Sequence, residues 1–80
     1  MRRTIRPYRA WLARTRQCES GGRWTISTGN GFYGAYQFTL QSWAGVGGRG
    51  YPHTAPPLEQ SYRAVRLLHT QGRGAWPVCG

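Results

Sequence analysis

Only two side chains in this sequence of 80 residues carry a carboxyl group, Glu19 and Glu59, so any proton chemistry on a carboxyl runs through one of them. Glu19 lies in Cys18-Glu19-Ser20-Gly21-Gly22, at the end of a helical pattern. Tyr8, Trp11, Leu12 and Thr15 recur before it at the spacing of one helix face, and the paired glycines after it terminate a helix. A carboxylate in a last helical turn meets the negative end of the helix dipole, which biases Glu19 toward its protonated form. Glu59 falls in the first turn of a later helix, where a carboxylate is favoured and has a capping role. Glu19 is therefore the candidate acid.

Ordinary glycosidases use two carboxyl groups. One is enough if it first protonates a glycosidic oxygen and then removes a proton from a nucleophile that the substrate itself carries. Such an acid has to keep its proton near neutral pH, which requires apolar burial against the field of a protein of net charge +9. At physiological salt the screening length is about 8 Å, so local burial outweighs arginines far off in sequence. The plainer reading of Glu19, a solvated helix end, stands beside this one.

Three helices and one aromatic segment must position these groups. Residues 1–6 are expected to be a flexible basic lead, and 7–80 a single domain. The first helix runs from Pro7 to Cys18 or Glu19. Residues 24–38 interleave Ile26, Phe32, Tyr33, Tyr36 and Phe38 with Gly, Ser and Thr around Thr28-Gly29-Asn30-Gly31, which predicts a short hairpin or an irregular β segment. Its aromatic and amide groups suit either the wall of a sugar-binding groove or the core of a small domain. Thr39 caps a short helix through Leu40, Trp43 and Ala44, and Arg49 to Pro57 is loop. A last helix opens at Pro56-Pro57, buries Leu58, Tyr62, Val65 and Leu68, and stops near Gly72, after which Trp76 to Cys79 is an extended tail. The expected class is α+β.

A chain of this length buries only about 60 to 65% of its unfolded surface, so a covalent staple is expected. Cys18 and Cys79 are the only cysteines and form no CxxC pair, which favours an oxidised pair in a secreted or cell-surface setting over two buried thiols. Drafting His53 and His69 with them into a zinc site fits no common ligand spacing, and neither metal nor cofactor is expected. All eleven basic residues are arginine. Such a chain seeks polyanions, of which nucleic acid and anionic cell wall are equally good on charge alone. Nothing besides charge points to nucleic acid. No stretch is long enough to span a membrane, and residues 1–16 lack the apolar core of an export signal.

Cys18-Glu19-Ser20-Gly21-Gly22 with Trp24, Thr28-Gly29-Asn30-Gly31-Phe32-Tyr33-Gly34, Gln37-Phe38, Ser42-Trp43, Gly47-Gly48, Glu59-Gln60 and Gly74 to Cys79 together resemble the resuscitation-promoting factor catalytic domain of actinobacteria. That family is a lysozyme-like lytic transglycosylase module, and the likeness covers about Trp11 to Cys79. It implies a compact lysozyme-like fold with Cys18 and Cys79 bridged. It also implies cleavage of the β-1,4 bond between N-acetylmuramic acid and N-acetylglucosamine in peptidoglycan, with the muramic acid's own C6 hydroxyl closing onto C1. By the resemblance Glu19 matches the catalytic acid, Ser42 stands where members usually have a substrate-contacting Thr, and Gln71 matches a glutamine of the sugar site. Tyr33, Gln37 and Trp76 fall in stretches that resemble groove walls. Thr39 departs from the polar or acidic residue common after the Gln-Phe pair, and the loop around Arg49 to Ala55 is shorter.

The implied partners are peptidoglycan strands and other wall-degrading enzymes, met by a monomer outside the cell. An excised domain, a small actinobacterial protein and a phage-associated module all fit the sequence. The rival from another class is a non-catalytic wall-binding or signalling module, consistent with the charge and the lack of a second free carboxyl.

Overall fold

Pro7 divides the first helical stretch, because it has no N–H to give to the preceding turn. In the computed structural model, which describes residues 1–80, α1 (Arg2–Ile5) is followed by a 3-10 turn at Arg6–Tyr8 and then by α2 (Arg9–Ser20). Helical structure thus begins earlier than Pro7, within residues read from sequence as a lead, and α1 packs against the last helix. Trp11, Leu12, Thr15 and Ser20 face inward from α2. Gly21 ends it at φ 68°, where the Gly21 and Gly22 amides donate to the carbonyls of Gln17 (3.0 Å) and Arg16 (3.1 Å). Only glycine takes that backbone without strain.

Residues 24–38 do not form the expected hairpin. They hold two isolated antiparallel bridges, Ser27 with Tyr33 and Tyr33 with Phe38, and no ladder. Left-handed backbone at Gly29, Gly31, Gly34 and Gln37 turns the chain too often for strands to extend. The Asn30 side chain, which would have occupied a tight hairpin turn, instead accepts from Thr28 Oγ1 (2.5 Å) and from the Phe32 amide (3.2 Å). Helices and 3-10 turns are the only extended regular elements, and the β part of the expected α+β class is reduced to these two bridges in an irregular segment.

Thr39 caps α3 (Leu40–Gly45), accepting from the Ser42 amide at 3.0 Å. The following loop contains a 3-10 turn at Pro52–Thr54. α4 (Pro57–Gln71) starts on Pro57 and stops at Gly72, as its sequence predicts. Its buried face is rotated from the expected one. Gln60, Ser61, Ala64, Val65 and Leu67 are buried, while Leu58, Tyr62 and Leu68 are only half-buried. Small Ser61 and Ala64 admit the large Tyr36 ring, whose hydroxyl meets Ser61 Oγ at 2.7 Å. The tail also differs from expectation. A 3-10 turn at Arg73–Ala75 and a further turn closed by the Gly80 amide on the Trp76 carbonyl (2.8 Å) replace an extended strand.

The core is a chain of edge-to-face rings: Trp24 on Tyr36 (5.9 Å), Tyr36 on Phe38 (6.4 Å), and Phe38 on Trp43 (5.0 Å). Trp11 and Trp76 form a second such pair at 5.0 Å. Cys18 and Cys79 are bridged, joining the end of α2 to the end of the chain. No helix is long and apolar enough to cross a membrane.

Candidate active site

Glu19 is the penultimate residue of α2 and is fixed from both sides. Cys18 before it is tied to Cys79, and Ser20 after it is buried, its hydroxyl donating to the Ala35 carbonyl at 2.8 Å and accepting from the Arg23 amide at 3.1 Å. Glu19 itself is half-buried, and burial raises its carboxyl above the ordinary carboxylate range. Desolvation penalises the ionised form, so the proton is held to higher pH. Glu59 is engaged elsewhere. It lies in the first turn of α4 and pairs with Arg63 at 3.4 Å, four residues on.

Ser42 and Gln71, far apart in sequence, share one pocket of about 410 Å³ between α3 and the end of α4. Gln41, Gly45, Val46, Leu67 and Thr70 complete its lining. Thr39 Oγ1 donates to Ser42 Oγ at 2.9 Å, which leaves the Ser42 hydroxyl proton for a ligand. Glu19, Gln37 and Tyr33 are not among these lining residues. Gln37 is the one non-glycine residue with positive φ (54°), and its side chain donates to the Gly34 carbonyl at 3.0 Å. Backbone held in that region by a non-glycine residue occurs preferentially at functional positions.

Tyr33 is half-buried and stacks on His53 at 5.3 Å, with Tyr51 meeting both rings edge-on. Tyr51 and His53 sit in a Gly- and Pro-rich loop whose lack of periodicity gives no sign of a place beside Tyr33, and His53 stands out in the sequence only as a zinc ligand whose spacing does not fit. Trp76 differs from its expected place on a groove wall. It is 3% exposed, packed on Trp11, and its indole N–H donates to the Tyr36 carbonyl at 2.9 Å. An indole held on every side in this way stabilises the core and has no face left for a sugar.

A family model described as a transglycosylase-like domain matches residues 7–79, almost the whole chain. This chain belongs to the transglycosylase-like domain family. Among its relatives is the resuscitation-promoting factor Rpf of Micrococcus luteus, 61% identical over 66 residues, covering 82% of this chain and 30% of the relative. Resuscitation-promoting factor RpfE of Mycobacterium tuberculosis is 52% identical over 64 residues, covering 80% of this chain and 37% of the relative. Resuscitation-promoting factor Rpf1 of Corynebacterium glutamicum is 48% identical over 69 residues, covering 82% and 36% respectively. This transglycosylase-like chain thus spans about a third of the length of these relatives.

Proposed function

We propose that this domain cleaves the glycan of peptidoglycan outside the cell as a lytic transglycosylase, with Glu19 acting first as acid and then as base. Its bond is the β-1,4 link from N-acetylmuramic acid C1 to the C4 oxygen of N-acetylglucosamine. The Glu19 carboxyl gives its proton to that oxygen, the C1–O bond breaks, and N-acetylglucosamine leaves with a free hydroxyl. The Glu19 carboxylate then takes the proton of the muramic acid C6 hydroxyl as that oxygen bonds to C1. The carboxyl is restored, no water is consumed, and a 1,6-anhydro end remains.

One observation carries the reading: burial holds the proton of Glu19 more tightly, and Glu59, the other side-chain carboxyl, pairs with Arg63 at 3.4 Å. A mechanism with two working carboxylates has no second group to use. The Ser42 and Gln71 pocket supplies a free hydroxyl and an amide, the polar groups a sugar ring needs, and the disulfide fits an oxidising compartment.

The test is digestion of purified peptidoglycan with mass spectrometry of the released fragments. Wild type is expected to yield anhydro-muropeptides, and Glu19→Gln none. Equal release by the two proteins would refute the role of Glu19. Fragments heavier by one water would make the enzyme a hydrolase. Sedimentation of both proteins with the wall and no soluble product from either would favour the binding-module reading.

A further inference from the structure

A concavity of about 880 Å³ lies between the N-terminal turn, α2 and the start of α4, and shares no lining residue with the Ser42 and Gln71 pocket. Arg2, Arg6, Arg9 and Arg16 line it, with Leu12, Trp24 and Pro57 among its apolar parts. No carboxylate lines it, and the molecule's one side-chain ion pair, Arg63 with Glu59, is elsewhere. Arg2, Arg6 and Arg9 are exposed, whereas Arg16 is half-buried, set over the Trp24 ring at 5.2 Å and donating to the Tyr36 hydroxyl at 3.3 Å. One end of the row is therefore anchored and the other is free to meet a ligand.

The four arginines are separated by four, three and seven residues, the sequence repeat of a helical face, and stand on α1, the 3-10 turn and α2 in succession. At helical rise they extend over roughly 20 Å, against a longest molecular dimension of 31 Å. A single small anion engages one end of such a row. A chain that repeats its negative charge engages all of it. Arg2, Arg6 and Arg9 follow one another at the i,i+4 and i,i+3 separations whose roots lie roughly 5 to 6 Å apart on a helix, a spacing comparable to phosphates joined through a three-carbon polyol, and Arg16 stands roughly 10 Å further on. Carboxylates carried once per disaccharide are too sparse for neighbouring arginines. The guanidinium fork binds phosphate oxygens in pairs, and every cation here is arginine.

We propose that this concavity binds a phosphodiester-linked polyol polymer of the bacterial wall, holding the domain beside its glycan. The choice of a wall polymer over other polyanions rests on the proposed wall activity. Arg2, Ile5 and Arg6 precede the family match at residue 7, so part of this surface belongs to this chain beyond the family domain.

The experiment titrates poly(glycerol phosphate) into the folded wild-type chain, into R2Q/R6Q/R9Q, and into R49Q/R66Q/R73Q, which loses the same charge at exposed arginines outside the concavity. Wild-type affinity is expected to fall with added salt. If each lost contact removes the salt slope of a flexible polyanion, R2Q/R6Q/R9Q binds roughly fiftyfold more weakly at physiological salt and R9Q alone about fourfold. R9Q, a single exposed change, keeps the test usable if the triple variant folds poorly. The distal variant should stay within about threefold of wild type. Equal losses in the concavity and distal variants overturn the site, as does tighter binding of polyglutamate or of oligothymidylate of matched charge. E19Q should bind the polymer as wild type does, and R2Q/R6Q/R9Q should still cleave polymer-free glycan. Failure of tethering is thereby told apart from failure of cleavage.

Discussion

Glu19 is flanked along the chain by a buried serine and a bridged cysteine, which fix its backbone. Because burial raises its folded-state pKa, the protonated form is favoured in the native molecule. The stability this gives is complete below the unfolded value, about 4.3, and is lost as pH rises through the higher folded value. Glu19→Gln imitates the protonated acid. The melting temperature of E19Q should therefore exceed that of wild type slightly at pH 8, with the difference closing below about pH 4. Activity should decline on the alkaline side as the acid ionises, and a pH–rate profile of anhydro-muropeptide release reads this directly. Truncating Ser42 removes the hydroxyl that accepts from the part-exposed Thr39 Oγ1, while the Ser42 amide still caps α3 through Thr39. Ser42→Ala should weaken substrate use about fivefold, the value of roughly 1 kcal/mol for one hydrogen bond, with little change in melting temperature.

Between the elements, Gln60 is the strut. Fully buried on α4, its carbonyl accepts from the Ala35 amide (3.0 Å), and its amide donates to the carbonyls of Trp24 (3.0 Å) and Ala55 (2.9 Å). Three separate stretches of irregular chain are thus fixed to one helix by a single side chain. Gln60→Ala leaves those buried groups without partners and should cost about 3 kcal/mol, at roughly 1 kcal/mol or more for each. For a domain of this size that lowers the melting temperature by more than about 10 °C. Gly34 depends on the same contact. At φ 79° it lies in backbone that favours glycine, and an added Cβ would come 2.6 Å from Gln60 Oε1. Gly34→Ala should destabilise as strongly, and thermal melts of the two variants and their double mutant should be markedly non-additive.

For the molecule as a whole, the bridge between Cys18 and Cys79 closes about three-quarters of the chain, with a separation of 61 residues. Loop closure of that length constrains the unfolded state by about 4 kcal/mol, comparable to the whole net stability a small core supplies. The C18S/C79S variant, or the reduced protein, should show a large drop in denaturant midpoint, and cleavage should be lost where α2 no longer holds Glu19 in place. The charge is also a molecular property. Eleven arginines against two glutamates, with one ion pair formed, leave the molecule strongly cationic, and seven of the arginines lie within residues 1–23.

Helix ends and caps were legible in the residues, because each rests on local chemistry. Thr39 before α3, Pro57 at the start of α4, the glycines after Ser20 and the scarcity of carboxyls need no knowledge of the rest of the chain. Tertiary structure decided what local chemistry leaves degenerate. Asn30-Gly31 carries the same hairpin signal whether or not strands follow, and here the left-handed residues around it prevented them. An aromatic side chain has one composition in a core or in a groove, and only packing sent Trp76 inward while leaving Tyr33 beside His53 and Tyr51. The meeting of Ser42 with Gln71 likewise arises only when α3 lies against the end of α4. Sequence order determines which groups exist and where helices stop, but distance between groups remote along the chain is set by how the helices pack.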